Sequence, residues 1–186
     1  MTPYSVWYVS KKRRFAFIGV AAAVFIAVYS AGAASTMSEE EAKNLKDMFG
    51  KQVTGIDAIG IFLNNFRIAA AMFIPALGIF VGMFSAYSTG LVFKALAQTT
   101  PQIANLPPLI ILATPFGMME VISYGIAMSQ SAILANAIVR KRSLKPMLIP
   151  TMIQLGIVAA LLFAGAFVEF YMIKEFTPEI QATENS

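Results

Sequence analysis

The stretch LPPLIILATPFGMMEVISYGIAMSQSAILANAIVRKR, residues 106–142, decides how this chain is read. It is apolar enough to enter a bilayer, yet Glu120 sits in its middle and Arg140-Lys141-Arg142 closes it. Pro107-Pro108 and Pro115-Phe116-Gly117 are two broken starts, since proline suits a first helical turn and glycine beside it marks a helix beginning. A helix that begins at membrane depth presents unpaired N–H groups and the positive end of its dipole. An acid about a turn inside that end is favoured there and costly elsewhere in lipid. Glu120 is therefore expected to face protein, with the other apolar segments enclosing it.

Composition agrees with a membrane chain. Of 186 residues, 58% are hydrophobic and 13% charged, about half the charge of an average soluble protein. From Gln52 to Leu144 the charged residues are Asp57, Arg67, Lys94, Glu120 and the basic triplet. Runs this apolar predict an all-α, polytopic bundle in a single transmembrane domain, residues 1–186, with three or four long spans. The bases behind the net charge of +4 cluster beside apolar runs, at Lys11-Lys12-Arg13-Arg14 and Arg140–Lys145. They fit orientation signals and anionic head groups; no groove-reading motif points to nucleic acid. Cysteine and histidine are both absent. Thiolate metal centres, disulfides and histidine-based triads are thereby excluded from this chain, and no cofactor is expected.

Residues 15–34 read as a first span, preceded by Tyr4, Trp7 and Tyr8 at an interface. Ala31-Gly32-Ala33 offers a small-x-small cleavage pattern, but the apolar run is longer than a usual signal core, which favours an uncleaved anchor. Ser38-Glu39-Glu40-Glu41 has capping-box spacing and predicts an amphipathic interfacial helix over 38–50. Its glutamates suit dipole compensation better than metal ligation. Asn64-Asn65-Phe66-Arg67 introduces a second span, 66–93, which Pro75 should kink. Gly78, Gly82, Ala86 and Gly90 form a ladder of small residues along it, fit for close approach of another helix from this chain or a second copy. On the helix after Pro115, Glu120, Ser123, Tyr124, Ala127, Gln130 and Ser131 share a face that is either packed on protein or wet. The last span, 147–172, carries a second small ladder at Gly156, Ala160 and Ala164, then Glu169; residues 173–186 read as a mobile tail.

Charge imposes a constraint on the path. With the N-terminus cytoplasmic, span one exits and span two returns, yet Arg140-Lys141-Arg142 also belongs inside. Residues 103–139 are too few for two crossings, so they are expected to form broken, re-entrant helices around 106–117, with the C-terminus outside. Four full crossings, with the triplet outside, is the alternative.

Several of these motifs, in this order, resemble the stage II sporulation protein M family of integral membrane proteins. Asn64-Asn65-Phe66-Arg67 is similar to the family's asparagine-containing entry to a glycine-spaced span, and Gly78, Gly82 and Gly90 to the span's glycines. Pro115-Phe116-Gly117 with Glu120 is similar to its proline-histidine-glycine and glutamate signature. Ala166-Phe167-Val168-Glu169-Phe170 and Thr177-Pro178 resemble its closing motif. Phe116 stands where the family has histidine, and Thr89-Gly90 where an asparagine-glycine pair is usual. The resemblance implies a non-catalytic subunit; family members in spore-forming bacteria sit in a membrane complex with cell-wall-degrading proteins.

Three functions follow as expectations. A scaffold of the cell membrane would hold other integral membrane proteins, or copies of itself, using Asn64, Asn65, Arg67, Pro115, Gly117, Glu120 and Glu169 structurally. A small oligomeric transporter or channel would use Glu120 and Glu169 as an intramembrane ion site. A Glu120/Glu169 hydrolase lacks the supporting histidine, cysteine or metal-ligand set.

Overall fold

The computed structural model describes residues 10–184, so Tyr4, Trp7 and Tyr8 lie outside the described residues. Six helices follow one another: α1 (Lys11–Ala33), α2 (Glu39–Val53), α3 (Ala58–Ala71), α4 (Leu77–Thr99), α5 (Pro115–Val139) and α6 (Lys145–Glu184). No strand occurs among the described residues. Four of these, α1, α4, α5 and α6, are long and apolar enough to cross a membrane.

Local chemistry sets the helix starts. The Ser10 hydroxyl accepts from the Arg13 amide, and the Asp57 carboxylate accepts from the Gly60 amide at 2.8 Å. Ser38 and Glu41 form the reciprocal capping box that opens α2. At α5 the Thr114 hydroxyl accepts from Gly117 N at 3.1 Å, with Pro115 as first helical residue, where its missing N–H costs nothing. A side chain on Gly117 would run into the Ile111 carbonyl, so the turn before α5 needs glycine there.

α5 is the central element, buried along most of its length and packed against α1, α3, α4 and α6. Relative directions follow from its contacts. Gly125 lies against Ile18 and Ala22 of α1, while Tyr29 donates to the Pro108 carbonyl at 2.8 Å, so α1 and α5 run oppositely. Gln130 meets Thr151 and Gly165 faces Met119, so α6 also opposes α5. The α5–α6 corner, Arg140–Leu144, thus lies at the same end as Lys12, Arg13 and Arg14.

The second apolar segment departs from expectation. Residues 66–93 do not form one kinked span; α3 stops at Ala71 and α4 starts at Leu77. Asn65 meets Glu120 and Ile74 meets Ser131, so α3 runs with α5. Gly78 lies beside Ser131 and Gly82 beside Met128, so α4 runs against α5. Residues 72–76 are therefore a hairpin tip, not a kink. Pro75 removes a helical donor, and Ala76 takes a left-handed conformation at φ 64°. The Ile74 carbonyl accepts from the Ser131 hydroxyl at 2.7 Å and from Gly78 N at 2.8 Å. The irregular backbone of the tip is thus paired by a neighbouring helix.

The reversal expected within 103–139 is correspondingly absent. Residues 101–103 and 108–110 form single tight turns, and α5 is one helix of 25 residues, about 37 Å long at 1.5 Å per residue. α6 also runs past the expected limit at Met172, its helical backbone continuing to Glu184. No glycine or proline stands between Met172 and Thr177 to stop it.

The ladder at Gly78, Gly82, Ala86 and Gly90 is buried by this chain's own helices. An added side chain at Gly90 would strike the Tyr29 carbonyl of α1, and one at Gly82 the Met128 sulfur of α5. Gly32 returns the contact, its missing side chain leaving room for the Tyr87 carbonyl. Two backbones can approach this closely only where side chains are absent. By contrast Gly156, Ala160 and Ala164 are exposed, and nothing lies within 4 Å of where a Gly156 side chain would start.

Candidate functional site

The polar side chains of α3 form a directed chain toward α5. Arg67 Nη2 donates to Asn64 Oδ1 at 3.4 Å, Asn64 Nδ2 to Asn65 Oδ1 at 3.4 Å, and Asn65 Nδ2 to Glu120 Oε1 at 2.5 Å. Every donor points the same way, from a guanidinium to a carboxylate. Helical geometry explains the layout: Asn64 and Arg67 are three apart and share one face, whereas Asn65 turns toward α5. Arg67 is exposed, and its bond to Asn64 bends it back one turn toward the start of α3. That bend carries the charge toward the start of α3 and away from the hairpin tip.

Glu120 is half-buried in the second turn of α5. Glu169 on α6, also half-buried, lies within electrostatic range of it. Tyr124, one turn further along α5, is 4% exposed, and its ring packs against Phe25 at 5.3 Å. The structure thus brings Asn64, Asn65, Arg67, Glu120 and Glu169 to one end of the bundle, between α3, α5 and α6, with Pro115 and Gly117 fixing the start of the helix that carries Glu120.

Below this cluster the shared face of α5 is mostly spent on packing. Gln130 Nε2 donates to Thr151 Oγ1 at 2.8 Å, and Thr151 donates to the Met147 carbonyl at 2.7 Å. Ser129 bonds back to the Ile126 carbonyl, and Ser131 holds the hairpin tip. Two fully buried oxygens, Ser123 Oγ and Gln130 Oε1, have no protein partner.

Sequence reasoning missed two participants and one pairing. Tyr29 crosses from α1 to the Pro108 carbonyl and Thr151 answers Gln130, while Ser131, already placed on the polar face of α5, takes the Ile74 carbonyl as its partner. Tyr29 is the one aromatic hydroxyl in the first apolar run, a signal that could have marked it. The partners of Thr151 and Ser131 depend on tertiary register and carry no local signal. Among the described residues, no group of three or more acidic, histidine or cysteine side chains could hold a metal ion. Comparison with family models, curated proteins and solved structures finds no match for this chain.

Proposed function

We propose that the protein is a non-catalytic assembly subunit of the cell membrane, as its resemblance to the stage II sporulation protein M family implies. The carrying observation is the Arg67–Asn64–Asn65–Glu120 chain. It commits the acid of α5 to fastening the α3–α4 hairpin onto the α5–α6 pair, and so to fixing the shape of the bundle. The outward stripe of α6 at Gly156, Ala160 and Ala164, left uncovered by this chain, suits partner helices.

The arrangement in the bilayer follows from charge. α1, α5 and α6 cross, and both basic clusters face the cytoplasm. The α3–α4 hairpin enters and leaves by the outer face. Its tip beside Ser131 lies about 24 Å along α5 from Pro115, most of the way through a hydrocarbon core of about 30 Å. α2 lies on that outer face, and the C-terminus is outside.

Gentle solubilisation followed by identification of co-purifying membrane proteins tests the reading. A reproducible partner that Gly156→Leu displaces supports it; purification of the intact, folded chain without one overturns it. A second reading, an oligomeric ion pathway, draws on Ser123 Oγ and Gln130 Oε1, which extend a polar face inward from Glu120 and Glu169. Ion flux into protein-containing vesicles that Glu120→Gln abolishes would favour it over the scaffold.

A further inference from the structure

α5 ends in a closed turn built on a costly residue. Lys141 N donates to the Ile138 carbonyl and Arg142 N to the Ala137 carbonyl, both at 2.9 Å, the paired bonds of a Schellman ending. The residue between helix and exit in that motif is left-handed and is usually glycine. Here it is Lys141, at φ 52°. Glycine would take the position without strain, so a lysine held there in spite of it points to a use for its charge.

The surroundings indicate the use. Arg140, Lys141, Arg142, Ser143 and Pro146 line an open cavity of about 670 Å³, with three cations and no acid in its wall. Arg140 is pre-positioned, its Nε donating to Asn136 Oδ1 at 3.0 Å. Val139, one residue before Arg140, is 81% exposed, and Ile149, one helical turn after Pro146 on α6, is 73% exposed, so apolar side chains stand open on both helices next to the charges. A ligand matching this order carries a negative head group above hydrocarbon.

We infer that the α5–α6 corner is a binding site for an anionic phospholipid, whose phosphate sits among Arg140, Lys141 and Arg142 and whose acyl chains lie along Val139 and Ile149. This is more specific than the general preference for cations on the cytoplasmic side, which depends on charge number and is indifferent to which residue carries it. A positional site loses its ligand when Lys141 is changed and keeps it when an equal charge is removed nearby.

The test uses the full-length protein in nanodiscs of phosphatidylglycerol mixed with phosphatidylcholine, with retained lipid read by native mass spectrometry. Wild type is expected to keep phosphatidylglycerol preferentially. Lys141→Gly, which suits the turn and so should not lower the melting temperature, is expected to cut that preference about fivefold, the loss of one surface cation. Lys141→Gln should do the same without glycine's freedom. Lys145→Gln removes an equal charge outside the cavity and should leave retention near wild type. Equal losses for Lys141→Gly and Lys145→Gln would reduce the effect to diffuse charge and overturn the site. No phosphatidylglycerol preference in wild type would overturn it too, as would displacement of the lipid by excess inorganic phosphate, which would make it a simple anion site.

Discussion

Asn65 on α3 donates to Glu120 on α5 at 2.5 Å, joining residues 55 apart in sequence. This bond ties the hairpin to the central helix, and its loss leaves a half-buried carboxyl without its donor. Asn65→Ala is expected to destabilise the bundle by about 1–3 kcal/mol. Glu120→Gln keeps an accepting oxygen and should be milder. Thermal unfolding of Asn65→Ala, Glu120→Ala and the double variant in detergent checks the coupling; strictly additive losses in that cycle would contradict the fastening role.

The two ladders of small residues should respond oppositely to bulk. Gly90→Leu drives a side chain into the Tyr29 carbonyl of α1 and is expected to cost about 3 kcal/mol or more, or to prevent folding. Gly156→Leu meets nothing within the chain, so its melting temperature in detergent should match wild type while partner capture falls. A destabilised Gly156→Leu would show that this face of α6 is packed after all.

The chain contains no cysteine, so single cysteines report topology cleanly. On the proposed arrangement, in which the hairpin returns to its own side, Ser35→Cys and Thr100→Cys are both expected to react with a membrane-impermeant maleimide from outside the cell. Ser143→Cys should react only after permeabilisation. Protection of Thr100→Cys until permeabilisation would make α4 a separate crossing.

Acid should loosen α2 first. Glu41 accepts from the Ser38 amide and hydroxyl, which holds its carboxyl below the ordinary value of 4.5. A carboxyl depressed in the folded state stabilises above its unfolded pKa and loses that contribution as pH falls through the folded value. Amide protection factors over residues 38–53, taken relative to the intrinsic exchange rate at each pH, should therefore fall below about pH 4.5. Glu41→Gln preserves the capping box without a titrating group and should flatten this dependence.

What could be read in advance was what local chemistry decides. The Ser38–Glu41 box, the opening of α5 at Pro115-Phe116-Gly117 and the small-residue face of α4 are each written in a few neighbouring residues. The reversal at 72–76 was not. Pro75 signals either a kink or a stop, and the left-handed residue beside it is Ala76, which gives none of the warning a glycine would. What holds the tip is Ser131, 57 residues away, and no local pattern announces such a bond. The charge pattern asks for a turn-back somewhere between the basic clusters, and the density of helix breakers points to the prolines near Leu106, whereas the reversal stands at 72–76. The site residues were legible as polar intrusions into apolar runs; their order, Arg67 to Asn64 to Asn65 to Glu120, emerged only from the facing of α3 on α5.

The Ile74 carbonyl at the hairpin tip has consequences for biogenesis. Its side-chain donor belongs to a helix that the ribosome makes later, so on the proposed arrangement the tip has no such partner within the bilayer when α3 and α4 emerge. The newborn hairpin is expected to wait at the surface until α5 has been threaded through, and then to slide in beside it. Insertion is in that sense post-paid by the downstream helix, and a nascent chain halted before Ser131 should leave residues 72–76 within reach of water.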